Sequence, residues 1–240
     1  LLSSSRWVNK VPHDIWAHQI LHPFLDLKAL ATVGRCNTFF EEYWQYVLKQ
    51  NVIRVPEGCP TINEAMDLAV IFSGRNRVRF RNPVQIIVGE GQHVMGAGAG
   101  YTRVWTVAVV GCSNVTITGK GKCKTTIFGG FVVNGKYNVK MEQLCVIHVA
   151  GYGLVCEKSG TNVDVTECCF KRCQGSGMSV EEGVTVTATR CDFMENGWHG
   201  VGCGGAKTKV RLDDSTMHHN GICGLWAEDH AVVDLRGTKT

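Results

Sequence analysis

No run of 18 or more apolar residues occurs anywhere in the 240-residue sequence, so no membrane-spanning helix is expected. The opening "LLSSSRW" lacks both the charged start and the long apolar stretch of a signal peptide. Paired C-x-x-C motifs are missing as well. Cys168, Cys169 and Cys173 come nearest to a cluster and have no matching second group, so neither a metal site nor a cofactor is expected. Charge of one sign is in no great excess, with 25 Lys and Arg against 21 Asp and Glu. These absences lead to the expectation of a soluble, intracellular protein, cytoplasmic or nuclear. Its 12 cysteines, several at apolar strand positions, are then buried thiols rather than disulfides.

What the chain does have is a repeat. Valines align the C-terminal half as "VTITG" at 115, "VKMEQ" at 139, "VDVTE" at 163, "VTATR" at 186, "VRLDD" at 210 and "VDLRG" at 233, with spacings of 24, 24, 23, 24 and 23 residues. Each piece alternates apolar and polar residues, which puts pairs such as Val139 and Met141 or Val163 and Val165 on one buried face of a strand. A second strand recurs in the same register as "GLVCEK" from Gly153, "GMSVEE" from Gly177, "GVGCGG" from Gly200 and "GLWAED" from Gly224. Between the two, Leu144, Cys168, Cys191 and Ser215 form a column, followed two positions on by Val146, Phe170, Phe193 and Met217. Three short strands per coil of about 24 residues predict a mainly β fold, a right-handed parallel β-helix whose coils stack at the ordinary strand spacing. The piece from Val233 to Thr240 opens a further coil, so a longer native chain is expected.

The glycine columns and the asparagines at 196 and 220 read as corners of this solenoid, with asparagine taking left-handed backbone geometry and bonding along the stack. His199 precedes such a corner in a column with Tyr152, Ser176 and Cys223, and reads as an outward turn residue.

The repeat is preceded by other material. In "PTINEAMDLAV" Thr61 and Glu64 make a capping box, and Ile62, Ala65, Met66 and Ala69 share one helical face, predicting a short helix that plugs the end of the solenoid. The order of strand, helix, "VQIIVGEGQH" and "ITGKGKCKTTI" resembles the entry to pectin-lyase-like β-helices, so the β-helix domain is expected over residues 51–240. Arg75, Arg77, Arg79 and Arg81 alternate with Val78 and Phe80, a spacing that puts all four cations on one side of an extended segment. Residues 1–137 carry 15 basic and 8 acidic side chains, whereas residues 138–240 carry 10 and 13. This polarity suits a solvated face or an acidic partner; nucleic acid is not expected, because no aromatic platform accompanies the arginines.

Residues 1–50 have helical rather than strand spacing, with Ile15, Ile20, Leu21, Phe24, Leu27, Leu30, Val33, Phe39, Phe40 and Trp44 marking apolar faces of short helices. Such a segment cannot bury its own surface well and should dock on a neighbour or on a partner protein. Val11-Pro12, Asp14-Ile15, Ile20-Leu21, Phe24-Leu25, Leu27, Leu30, "VGRC", Phe39 and Trp44 resemble an F-box, with departures at His13 and from Trp16 to Gln19. An F-box-like segment joined to a β-helix is similar to the F-box proteins whose β-helix selects targets for a ubiquitin ligase. That resemblance implies a non-catalytic adaptor. Pro12, Ile15, Ile20, Leu21, Phe24, Leu25 and Leu30 would bind a Skp-type protein, and the β-helix would bind a target protein, with no small-molecule substrate.

The competing class is a carbohydrate-active enzyme of the polygalacturonase or pectate-lyase kind, and a non-catalytic assembly protein would suit the same fold. His199-Gly200 and Asp213-Asp214 echo polygalacturonase residues, but the histidine comes first, and neighbouring strand residues face opposite ways, so the two aspartates should not share a site. For target binding the candidates are Trp226, pointing outward, and the column of Glu157, Glu181 and Glu228, with the arginines at 75 to 81 as a second patch. Stacked like charges suggest a basic target segment.

Overall fold

The computed structural model describes residues 52–74, 83–95 and 107–239. Its strands wind through three parallel sheets in a fixed order, one strand per sheet in each turn from β2 to β19, with β1 and β20 extending the first sheet at its two ends. The first sheet has eight strands: β1 (Val52–Val55), β2 (Val84–Val88), β5 (Val115–Thr118), β8 (Val139–Glu142), β11 (Asn162–Thr166), β14 (Thr185–Thr189), β17 (Lys209–Asp213) and β20 (Val232–Arg236). The second sheet holds β3 (Gly91–Val94), β6 (Thr125–Phe128), β9 (Cys145–Ile147), β12 (Cys169–Lys171), β15 (Asp192–Met194) and β18 (Thr216–His218). The third holds β4 (Val107–Val110), β7 (Gly130–Asn134), β10 (Leu154–Glu157), β13 (Met178–Val180), β16 (His199–Cys203) and β19 (Cys223–Ala227).

Register follows the valine columns. Val163 pairs with Val139 on one side and Val186 on the other, and Val186 with Val210. These residues, with Ile117, Met141, Val165 and Leu212, are buried, because alternation sends every second side chain into the bore of the solenoid. Phe170 and Phe193 stack in consecutive coils, ring centroids 5.4 Å apart and 7° from parallel. Cys168, Cys191 and Ser215 fill one column in one way: each donates from sulfur or oxygen to the carbonyl two residues back and to a carbonyl of the preceding coil. A thiol therefore does there what a hydroxyl does.

The predicted helix is present as α1 (Ile62–Gly74), capped by the Thr61 hydroxyl, which accepts from the Glu64 N–H at 3.2 Å. Ile62, Ala65, Met66 and Ala69 are buried as α1 packs against β2 and β4 at the start of the stack. Among the described residues no helix is long and apolar enough to cross a membrane.

Two corner expectations need correction. Asn196 and Asn220 are not left-handed; that conformation falls on the residues before them, Glu195 (φ 55) and His219 (φ 54). The asparagine side chains instead turn inward. Asn196 Nδ2 donates to Asn220 Oδ1 at 3.0 Å and to the Phe170 carbonyl at 3.1 Å, while its Oδ1 accepts from the Cys173 N–H. The glycines at 177 and 200 are required by this ladder, not by their own dihedrals. A Cβ at Gly200 would lie 2.6 Å from the Gly224 carbonyl oxygen and 2.9 Å from Asn220 Nδ2. His199, in turn, is no turn residue: it opens β16 and is half-buried.

Candidate functional site

Among the described residues, the outer face of the third sheet gathers aromatic and acidic side chains in one place. Strand alternation exposes the column Val155, Ser179, Gly202 and Trp226 between the inward columns headed by Leu154 and Cys156. At the entry to the strands stand Tyr152, Ser176, His199 and Cys223, the last two being the first residues of β16 and β19; at their exit come Glu157, the last residue of β10, and Glu181, Gly204 and Glu228. Gly202 leaves the floor open, since a Cβ there would find nothing closer than 3.8 Å. The result is a groove of about 590 Å³.

Its walls are aromatic. Tyr152 and Trp198 meet edge to face with centroids 5.8 Å apart, and His199 stacks on Trp226 at 5.5 Å and 13°. Trp198 and Trp226 are 51% and 47% exposed, Trp226 on β19 at the edge of the sheet. The same neighbouring strand also supplies Cys223, whose Sγ lies 3.0 Å from His199 Nδ1. The Cys223 thiol also reaches the Leu225 carbonyl, 3.1 Å away, to which it donates.

One rim is acidic, formed by Glu181, Glu182, Glu228 and Asp229. Ser179 Oγ donates to Glu181 Oε1 at 2.9 Å and fixes that carboxylate toward the groove. Burial, reinforced by the Glu181 charge, pushes the Tyr152 hydroxyl above its ordinary range. Burial and Glu228 likewise push the Cys203 thiol up to about 11, so it stays protonated and is no nucleophile near neutral pH. No lysine or arginine lines the groove; Lys158 and Lys207 stand at the same corner of other coils without an ion pair to these carboxylates. Among the described residues no group of three or more His, Cys, Asp or Glu is placed to hold a metal ion.

Stacked coils in three parallel sheets agree with a match of residues 69–239 to the family described as right handed beta helix region. The chain belongs to that family. A solved structure of ORF18 from Geobacillus virus E2 is similar to this β-helix, with a TM-score of 0.58 and 14% identity. The similarity covers 84% of this chain and 44% of the viral protein, so the chain spans less than half of that relative, and at this identity the likeness is one of fold. No curated protein matches the chain.

Of the residues singled out from sequence, the β-helix brings Trp226, Glu181 and Glu228 into this one groove. Glu157 belongs to the same column, next to Glu181, but lies outside the groove and takes a weak bond from Asn134 Nδ2 at 3.5 Å. Arg75, Arg77, Arg79 and Arg81 lie outside the described residues, as do Pro12, Ile15, Ile20, Leu21, Phe24, Leu25 and Leu30. The polygalacturonase echo does not assemble. His199 is on the third sheet, whereas Asp213 ends β17 on the first and pairs with Arg211 at 2.8 Å, and Asp214 sits exposed in a left-handed bend at φ 48.

Sequence reading missed Tyr152 and Trp198, and mistook His199 for a turn residue. A signal was there: Tyr152 and His199 share a column, and Trp198 stands one residue before it.

Proposed function

We propose that the chain is the substrate-recognition adaptor of a Skp/cullin-type ubiquitin ligase, with residues 12–44 binding the Skp-type protein and the β-helix holding a target protein in the cytoplasm or nucleus. The F-box-like pattern of the N-terminal segment supports the first half. The observation that carries the second is the groove itself, where Trp226 shares the lining with Glu181 and Glu228 on a wall of hydrogen-bonded strands. An aromatic anchor with a charged rim, presented on a rigid sheet, is the composition of a protein-binding hot spot. Asp213 is tied to Arg211 at the end of β17 and Asp214 lies exposed in the bend beyond it, while His199 is on the third sheet; this weighs against a polysaccharide hydrolase, which needs two carboxylates facing one bond about 5 to 9.5 Å apart.

The test is capture of a purified Skp-type protein by the full chain and by a Leu21→Ala, Phe24→Ala double variant. Capture by the parent and loss in the variant, with the β-helix circular dichroism unchanged, is expected; equal capture by both sinks the adaptor reading. Release of oligosaccharides from a pectin-like polymer, lost in Asp214→Asn, would reverse the choice in favour of the enzyme.

A further inference from the structure

We propose that the groove is built to take the side chain of a lysine or arginine in a basic segment of a protein. The inference rests on the target-binding reading and gives its site a chemistry. Three features of the groove carry it.

The first is charge. Glu181, Glu182, Glu228 and Asp229 converge on the groove with no cation among its lining residues. All six ion pairs found among the described residues lie elsewhere. Glu157 stands directly beside Glu181 in the neighbouring strand, where like charges repel. A bound cation relieves this repulsion; an anion adds to it. Acidic polysaccharides, phosphopeptides and nucleic acids are therefore poor occupants.

The second is the aromatic wall. Trp226, backed by the stacked His199 ring, and Trp198, braced by Tyr152, present indole faces beside the carboxylates. Tryptophan is the best of the side chains at attracting a cation to its ring face, and guanidinium also stacks flat on it. A neutral sugar would use the same faces but leave the four carboxylates without partners.

The third is shape. About 590 Å³ falls within the range of small-ligand pockets, and the open side leaves room for a main chain to pass across the top. A long side chain can enter while its backbone stays outside.

The experiment uses the full chain and follows tryptophan fluorescence on titration with end-blocked hexapeptides of alternating glycine with lysine, arginine or serine. A neutral glucan hexamer and a galacturonate hexamer complete the set. Saturable binding of the lysine and arginine peptides, and of none of the others, is expected. Glu181→Gln with Glu228→Gln should weaken it by tenfold or more, and Trp226→Ala by roughly tenfold, while Trp226→Phe retains most of it.

Because exposed carboxylates attract any basic peptide, the Trp226 variants are decisive. Binding that falls with the glutamates but not in Trp226→Ala overturns the proposal, as does preference for either sugar or absence of saturable binding. Thermal melts of each variant confirm that the fold survives. Basic peptide bound by a chain that fails to capture a Skp-type protein removes the adaptor reading and leaves this one; Skp capture without peptide binding does the reverse.

Discussion

The first and third sheets are built from the same coils, yet they treat charge in opposite ways. On and around the first, acids meet bases: Arg211 with Asp213 and Arg236 with Asp234, each at 2.8 Å, and at the bend after its strands Glu167 accepts from both Gln143 and Arg190. On the third, Glu157 and Glu181 have only an amide and a hydroxyl, and Glu228 heads the rim beside an exposed tryptophan. A solenoid offers every outward residue a neighbour in the next coil about 4.8 Å away, so pairing opposite charges is easily arranged. Where a stack of acids goes without bases, stability is not what the arrangement serves.

This division predicts that interior substitutions cost folding and groove substitutions cost binding. The largest effect is expected for Phe193→Ala. It removes a fully buried ring from the stack with Phe170 and should destabilise by about 3–5 kcal/mol in a denaturant titration. A cost below about 1 kcal/mol would mean that the coils are not packed as described. Next comes Asn196→Ala, which leaves the buried Cys173 N–H without its partner and takes one of two donors from the Phe170 carbonyl, and should cost about 2 kcal/mol. If the ladder were only decoration, this variant would melt with the parent.

How much of this was legible in the sequence follows the same line. The buried columns were readable because alternation is local and recurs in each coil: Val163, Val165, Phe170 and Cys191 each had counterparts one coil away. The helix α1 was readable from Thr61 and Glu64 together. The Asn196 ladder was visible as a column, but its geometry was not. The left-handed residue is Glu195, a type with no signature for that conformation, and the glycine at 200 answers to a neighbour's amide rather than to its own φ. Half of the groove was missed for a related reason. Tyr152, Trp198 and Trp226 occupy three different columns, and in two of them the aromatic stands alone, so no periodic signal marked the wall that they form together.

The interior thiols give the third prediction, a loss of stability in alkali. Burial holds the Cys191 thiol at about 11 and the Cys173 thiol at about 12, above the ordinary value of 9.0. A group whose folded value is raised gives its full contribution below the unfolded value and loses it as pH rises through the folded one, so the window runs from 9 to about 11 or 12. At pH 10 the Cys191 share is about 1 kcal/mol. Cys191→Ser should remove it, since Ser215 already makes the same pair of bonds in that column. Melts of parent and variant at pH 8 and pH 10, under reductant, check this. A parent no more alkali-sensitive than Cys191→Ser would place that thiol within reach of water.

The smallest effect bears most directly on what the third sheet is for. Glu181→Gln keeps the bond from Ser179 within reach of an amide oxygen and removes one charge of the unpaired stack beside Glu157. If the acids serve a visiting cation rather than the fold, the variant should be more stable than the parent by a few tenths of a kcal/mol, the size of a relieved like-charge neighbour. The gain should be greatest at low salt and vanish near 1 M, where screening shrinks to about 3 Å. Glu167→Gln on the bend is the mirror control: it breaks a link to Arg190, so it should leave stability unchanged or lower, never higher. A salt-dependent gain in the groove and none at the bend would separate the two faces in a single experiment. A loss in both would mean that Glu181 is held by a favourable contact, and that the groove's acids belong to the fold after all.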